Sequence, residues 1–313
     1  MTETDTETDE APPPTCYRHT DRETYVRCTR CDRPICPDCM NEAAVGFQCP
    51  ECVKEGNKSI RQARTVFGGR VGADAQVSKA LLGICIVAFV AQFAIATFTD
   101  DFAMTPAFVA SDGQYYRMVT SAFLHVTYFP LHIVFNGYAL LAFGSQVERL
   151  LGGARYLALY LVSAVGGSTF TLYLLDAVVV TEDGFRYGSS VGASGAVFGL
   201  FGAFFVLARK LRADTSQILL MIGINLAIGF SAGGLINNWA HIGGLATGAA
   251  VAYVFAHVPR GPRQAALQTA GVVGIVVVLA VASVLRVQQL RQDLGVSSLV
   301  SSEATSATGA PSR

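Results

Sequence analysis

Seven long apolar blocks, at 77–98, 130–147, 155–176, 192–208, 216–232, 237–256 and 265–285, constrain the fold of this 313-residue chain more than any other feature. Each lies near the roughly 20 residues that a helix needs to cross the hydrocarbon of a bilayer, where only a helix or a closed barrel satisfies its own backbone. The fifth block is the weakest of the seven. A single block of this kind can be a buried helix of a soluble core, but a soluble domain of this size has no room to hide seven. The expected fold class is therefore an all-α polytopic membrane protein.

The formal net charge is zero, and its distribution along the chain carries more information than the sum. Lys54, Lys58, Arg61, Arg64, Arg70 and Lys79 precede or open the first span. Arg149 and Arg155 lie between spans two and three, Arg209, Lys210 and Arg212 between four and five, and Arg260 and Arg263 between six and seven. The alternate loops are poor in base: 99–129 holds Asp100, Asp101 and Asp112 against Arg117, 177–191 holds Glu182 and Asp183 against Arg186, and 231–236 holds no charge. The positive-inside rule then predicts a cytoplasmic N-terminus and a C-terminus outside, and with only four Lys among 23 basic residues, the bias of a GC-rich bacterial genome, the expected membrane is the plasma (inner) membrane of a bacterium. Residues 1–15, acidic and Pro-rich without an apolar stretch, read as a disordered tail rather than a signal peptide.

Seven of the eight cysteines fall before residue 53, as Cys16-x2-His19, Cys28-x2-Cys31, Cys36-x2-Cys39 and Cys49-x2-Cys52. A two-residue spacing lets both side chains of a tight turn face one metal, and four such ligands complete a tetrahedral zinc site. A disulfide framework is disfavoured because His19 completes the fourth pair and the predicted compartment is reducing. Two closed structural Zn2+ sites are expected over 16–53, with no open position for catalysis. The pattern resembles the B-box type of zinc finger, a resemblance that implies cross-bracing, with pairs one and three on one metal and pairs two and four on the other. So small a domain depends on its metals for a core and reads as a binding or regulatory module, with a cytoplasmic protein partner or substrate tails as its targets. Residues 54–76 read as a basic linker along anionic headgroups.

Inside the spans, ionisable groups are almost absent, which makes each exception a functional candidate. They are His132, with Asn136 one turn later, and His241. No span carries an interior acid or lysine, which removes aspartyl and Ser–Lys intramembrane chemistry, and no HExxH helix supplies a catalytic metal. No catalytic cofactor is therefore expected. What remains is Ser194 with a histidine base. Spans two, four and six run in the same direction, and His132, Ser194 and His241 each lie near the outer start of theirs. Gly195, Gly199 and Ala203 line one face of span four, and Gly244 and Gly248 one face of span six, the small-residue pattern that allows close helix approach. A lone serine in such a span is most often a packing residue, but the shared depth and the small faces favour chemistry. His241 would act as general base, with the Ser194 N–H, His132 and Asn136 as oxyanion donors.

Together, His132-x3-Asn136, Gly192-Ala193-Ser194-Gly195 and Ala240-His241-Ile242-Gly243-Gly244 resemble the rhomboid intramembrane serine proteases over roughly 77–257. Tyr116-Arg117 resembles the Trp-Arg pair of that family's first, membrane-dipping loop, with Tyr in place of Trp. The resemblance implies a six-helix rhomboid core (77–257); the seventh transmembrane helix (265–285) is an addition to it, giving a 6+1 arrangement, and 286–313 reads as a flexible tail. The resemblance also implies a Ser194–His241 dyad without an aspartate, single-span membrane protein substrates cut near their outer ends, and a lateral gate at span five and the loop 231–236. Two rival readings are a catalytically silent rhomboid-like protein that binds membrane clients, and a transporter with a histidine proton relay. No repeat-related halves favour the transporter, and nothing points to nucleic acid.

Overall fold

The computed structural model describes residues 12–59, 63–72, 75–181, 184–231 and 236–295. It divides into two compact units, Met1–Gln62 and Ala63–Arg313.

The first unit has a single turn of 3-10 helix at Pro37–Cys39, a hairpin of β1 (Asn41–Glu42) and β2 (Phe47–Gln48), and one helix, α1 (Pro50–Ser59). Its buried centre consists of Ile35 and six cysteines. Tyr17 and Met40 pack against this centre, which leaves little aliphatic surface for a domain of this size. Pro14 and Thr15, expected in the disordered tail, belong to this unit: the Pro14 carbonyl accepts from Thr24 N–H at 2.8 Å, and Thr15 bridges to Glu23. Residues 1–11 lie outside the described residues.

The second unit is helical. Its elements are α2 (Gln76–Ala94), α3 (Phe98–Phe102), α4 (Pro106–Ser111), α5 (Arg117–Thr120), α6 (Leu131–Ala139), α7 (Ser145–Leu151) and α8 (Gly153–Leu174). There follow a hairpin of β3 (Val178–Thr181) and β4 (Gly184–Tyr187), then α9 (Ser194–Lys210), α10 (Ser216–Ser231), α11 (Asn238–His257) and α12 (Gln264–Asp293). A π turn at Leu140–Gly144 joins α6 to α7. Four of these, α2, α8, α11 and α12, are long and apolar enough to span a membrane by themselves. Each of the seven expected spans coincides with helical structure. A band of exposed Ile84, Val87, Val90, Leu220, Ile224, Ile228, Val277, Val278 and Val281 on α2, α10 and α12 is acceptable in lipid and not in water.

The core lies where α8, α9 and α11 meet, around Tyr156, Leu159, Tyr160, Ala203, Leu207, Val251, Ala252 and Phe255. Glycines bring these helices into backbone contact: a Cβ on Gly244 would overlap the Gly195 carbonyl oxygen, one on Gly248 the Gly199 carbonyl, and one on Gly167 would stand 2.8 Å from the Ala240 oxygen. The faces expected from the small-residue pattern are thus the faces in contact. Across the bundle, the buried Glu148 carboxylate accepts from Val77 N–H, Ser78 N–H and Ser78 Oγ at 2.7–2.9 Å, capping α2 from 70 residues away.

The structure departs from the sequence expectation in two stretches. Within the supposed linker 54–76, residues through Ser59 are helical, Phe67 is buried in the core of the second unit, and its carbonyl accepts from Gln268 Nε2 at 3.2 Å. Residues 60–62, 73 and 74 of that linker lie outside the described residues. The other departure is the supposed flexible tail, where α12 continues to Asp293. Val287 and Leu290 pack with Met104, Val109, Ala110, Met118 and Leu172, Arg286 Nε donates to the Leu172 carbonyl at 3.0 Å, and Arg291 Nε donates to that of Ala110 at 2.5 Å. The run RVQQLRQD is too polar to register as a span, yet it is built of good helix formers with Val287 and Leu290 on one face. The rest of the tail, 296–313, lies outside the described residues.

Candidate active site and metal centres

Ser194 is the first residue of α9, so its N–H has no acceptor within the helix and sits at the positive end of the helix dipole. His241 occupies the first turn of α11, and its Nε2 lies 2.8 Å from Ser194 Oγ. The imidazole is buried and stacks flat on Phe198, one turn after Ser194, with ring centroids 4.2 Å apart and an interplanar angle of 4°. For Nε2 to accept the serine proton, the ring hydrogen must sit on Nδ1, and that atom is buried with no protein partner. The structure brings together the two groups separated by 47 residues, and among the described residues no carboxylate pairs with the histidine's Nδ1.

His132, in the first turn of α6, faces the same place from a third helix. Its Nδ1 accepts from Val126 N–H at 3.3 Å, which leaves Nε2 as the protonated nitrogen, able to donate. Gly192 lies between the groups: a Cβ there would stand 3.1 Å from His132 Nε2 and 3.4 Å from Ser194 Oγ. Its φ of +142° and that confinement both require glycine. Asn136 is buried one turn below His132, and its Nδ2 donates to the His132 carbonyl at 2.9 Å. One amide hydrogen of Asn136 is thereby used within its own helix, leaving the other for a ligand.

His125 carries no site assignment from the sequence, although it sits beside this cluster. It is 1% exposed, both ring nitrogens lack a protein partner, and its ring meets that of His132 edge-on at 5.2 Å. Its backbone is clamped by Gln92 at the end of α2, through His125 N–H to Oε1 at 2.9 Å and Nε2 to the His125 carbonyl at 2.8 Å. The available signal was a histidine seven residues before His132, outside any apolar block.

The loop 99–129 covers this side of the bundle and is organised by Arg117. The buried guanidinium donates to Gln114 Oε1 and the Asp100 carbonyl, both at 2.6 Å, and to the Ala103 carbonyl at 2.9 Å, with the Phe108 and Tyr116 rings against it. The loop ends on the segment leading to Ser194: Met104 and Ser190 exchange both backbone hydrogen bonds, at 2.9 and 3.0 Å. Most of the expected gate loop, residues 232–235, lies outside the described residues.

In the first unit, Cys16, His19, Cys36 and Cys39 form one cluster and Cys28, Cys31, Cys49 and Cys52 a second, with all donor atoms of each within 4.8 Å of one another. All eight cysteines of the chain are free of disulfides. His19 Nδ1 lies 3.2 Å from Cys36 Sγ and 3.5 Å from Cys39 Sγ, and Cys31 and Cys49 sulfurs are 3.7 Å apart. A tetrahedron with 2.3 Å metal–sulfur bonds has edges of about 3.8 Å, so both clusters could hold a tetrahedral metal ion. Arg33 Nε donates to Cys31 Sγ at 3.3 Å and holds that thiol below its ordinary pKa. The backbone N–H of Cys49 donates to Cys28 Sγ, and that of Cys52 to Cys49 Sγ. These are bonds that a thiolate accepts.

Residues 112–258 match the Rhomboid domain. Over 143 residues, 44% of this chain and 25% of the relative, the sequence is 36% identical to the rhomboid protease GluP of Bacillus subtilis. It is 33% identical over 160 residues to RHOMBOID-like protein 6, mitochondrial, of Arabidopsis thaliana, covering 49% of this chain and 47% of that protein. It is 29% identical over 175 residues to the rhomboid protease AarA of Providencia stuartii, covering 50% and 61%. The chain thus spans between a quarter and under two thirds of these relatives' own lengths.

Proposed function

Because this multi-pass membrane chain carries a rhomboid domain across residues 112–258, we propose that it is an intramembrane serine endopeptidase that cuts transmembrane segments of single-span membrane proteins near their outer ends. The observation that carries the reading is the 2.8 Å contact between Ser194 Oγ and His241 Nε2 at the shared end of α9 and α11.

In the proposed reaction His241 Nε2 takes the Ser194 hydroxyl proton as Oγ bonds to the scissile carbonyl carbon. The carbonyl oxygen becomes an oxyanion, met by the Ser194 N–H, the His132 Nε2–H and the remaining Asn136 amide hydrogen. The proton on His241 then passes to the leaving amine nitrogen as the C–N bond breaks, and water repeats the cycle on the acyl-serine to release the second product. A helix must unwind locally before its carbonyls can be reached, so the preferred cut sites carry small or helix-breaking residues. Span five and the loop 231–236 are the proposed entry, with the lipid bilayer as the medium that delivers the substrate.

The two Cys/His clusters are proposed to hold one structural Zn2+ each, in a cytoplasmic module that recruits a protein partner or substrate tails. The soft thiolate and imidazole donors suit zinc, and the metal would supply folding energy rather than catalysis. The protein is assigned to the bacterial inner membrane, N-terminus inside and C-terminus outside. The client-binding alternative retains the same fold and gives up the chemistry. Reconstituting the protein in liposomes with a panel of single-span segments, and mapping products by mass spectrometry, separates the two. Cleavage that disappears in Ser194→Ala is expected, and binding of segments without any cut would favour the alternative.

A further inference from the structure

Serine hydrolases commonly fix their histidine with a third side chain, and here, among the described residues, none hydrogen-bonds to His241 Nδ1. The separation of Ser194 and His241 must therefore be set by how the starts of α9 and α11 are held. One side chain reaches both approaches. Asn237 precedes His241 by four residues, and Ser190 precedes Ser194 by four. Asn237 Nδ2 donates to Ser190 Oγ at 3.1 Å and to Thr171 Oγ1, near the end of α8, at 3.0 Å, while its Oδ1 accepts from Ala240 N–H at 3.2 Å as the N-cap of α11.

The orientation of this amide is determined by its partners. The Thr171 hydroxyl already donates to the Gly167 carbonyl at 2.9 Å and so presents a lone pair to Asn237, whereas the Ala240 N–H needs an oxygen. The partners are themselves fixed: Thr171 is buried, and Ser190 is paired on both sides of its peptide with Met104. The amide thus joins three helix ends just outside the two groups proposed to react.

Resting on the dyad reading above, we propose that Asn237 is a positioning residue: by bridging Ser190 and Thr171 it holds the starts of α9 and α11 at the separation that brings Ser194 Oγ to His241 Nε2. It acts without touching the reacting atoms. Errors of about 1 Å in such a separation cost on the order of a hundredfold in rate, so the bridge has a kinetic signature that a simple helix cap lacks.

The test uses the full-length protein in detergent and a fluorophosphonate probe, with the limiting labelling rate and the half-saturating probe concentration measured separately. Asn237→Ser keeps a good N-cap but is too short to bridge. Ser190→Ala removes the bridge and leaves the α11 cap intact. Each is expected to lower the limiting rate about tenfold or more, with the half-saturating concentration within about twofold and the thermal midpoint near wild type. The double variant should be no slower than the slower single, because both remove one interaction. Wild-type rates in Asn237→Ser or in Ser190→Ala would overturn the positioning role while leaving the dyad intact, as would losses that track the loss of folded protein. A wild type whose label is unchanged by Ser194→Ala would overturn the dyad itself, and this assignment with it.

Discussion

Gly244 lies so close to Gly195 that a single methyl group on it would overlap the Gly195 carbonyl oxygen. Gly195 follows Ser194 directly and Gly244 follows His241 by three residues, so this close backbone contact lies within one turn of both groups of the proposed site. Gly244→Ala is therefore expected to destabilise the fold by about 1–3 kcal/mol through overpacking, and to slow serine labelling in the protein that remains folded. Gly223→Ala on α10, where a Cβ meets nothing within 4 Å, is the control and should stay within about 0.5 kcal/mol of wild type. Thermal unfolding in detergent measures both.

Arg117 satisfies two carbonyls and a side-chain amide in a buried position, so its removal leaves acceptors unpaired rather than merely losing a charge. Arg117→Ala is expected to cost about 2–4 kcal/mol locally and to open the loop 99–129 to added protease. Arg117→Lys should not rescue it, because one ammonium lacks the planar fork that reaches all three acceptors.

The last two turns of α12 are expected to brace the loop 99–129. Ending the chain after residue 285 removes Arg286, Val287, Leu290 and Arg291, and with them the carbonyl contacts to Leu172 and Ala110. Hydrogen exchange over 104–112 should then speed up by about tenfold or more, since that segment loses a buried face. A chain ending at 295 keeps those residues and should exchange like the full-length protein.

Metal content separates the two cysteine clusters. Wild type is expected to carry two zinc ions per chain, and Cys36→Ser and Cys49→Ser one each, because each belongs to a different ligand set. If either substitution released both ions at once, the two sites would be one cooperative unit; if neither released any, the assignment of ligands would be wrong.

Much of this architecture was legible in the sequence because it rests on composition and short spacing. The seven apolar blocks marked helical stretches, four of them long enough to span a membrane, the x2 pairs marked both Cys/His clusters, and the small-residue faces marked the α9–α11 contact. Ser194, His132 and His241 could be grouped by depth alone, since each opens a helix that enters from the same side. Contacts between distant residues with no periodic signature stayed invisible. Glu148 capping α2, Asn237 bridging Ser190 and Thr171, and Gln92 clamping His125 each depend on one polar side chain meeting a backbone or hydroxyl far away in the chain. The polar end of α12 was hidden for the opposite reason: hydropathy finds long apolar runs, and a helix end that packs on a loop through Val287 and Leu290 has only a narrow apolar face.

The most direct test of the account is to treat the detergent-purified protein with a fluorophosphonate and locate the adduct by peptide mass spectrometry in wild type, Ser194→Ala and His241→Ala. The account predicts an adduct on Ser194 in wild type and none in either variant while both remain folded. An adduct on another residue, or labelling of Ser194 that persists without His241, would contradict a histidine-activated serine at this site.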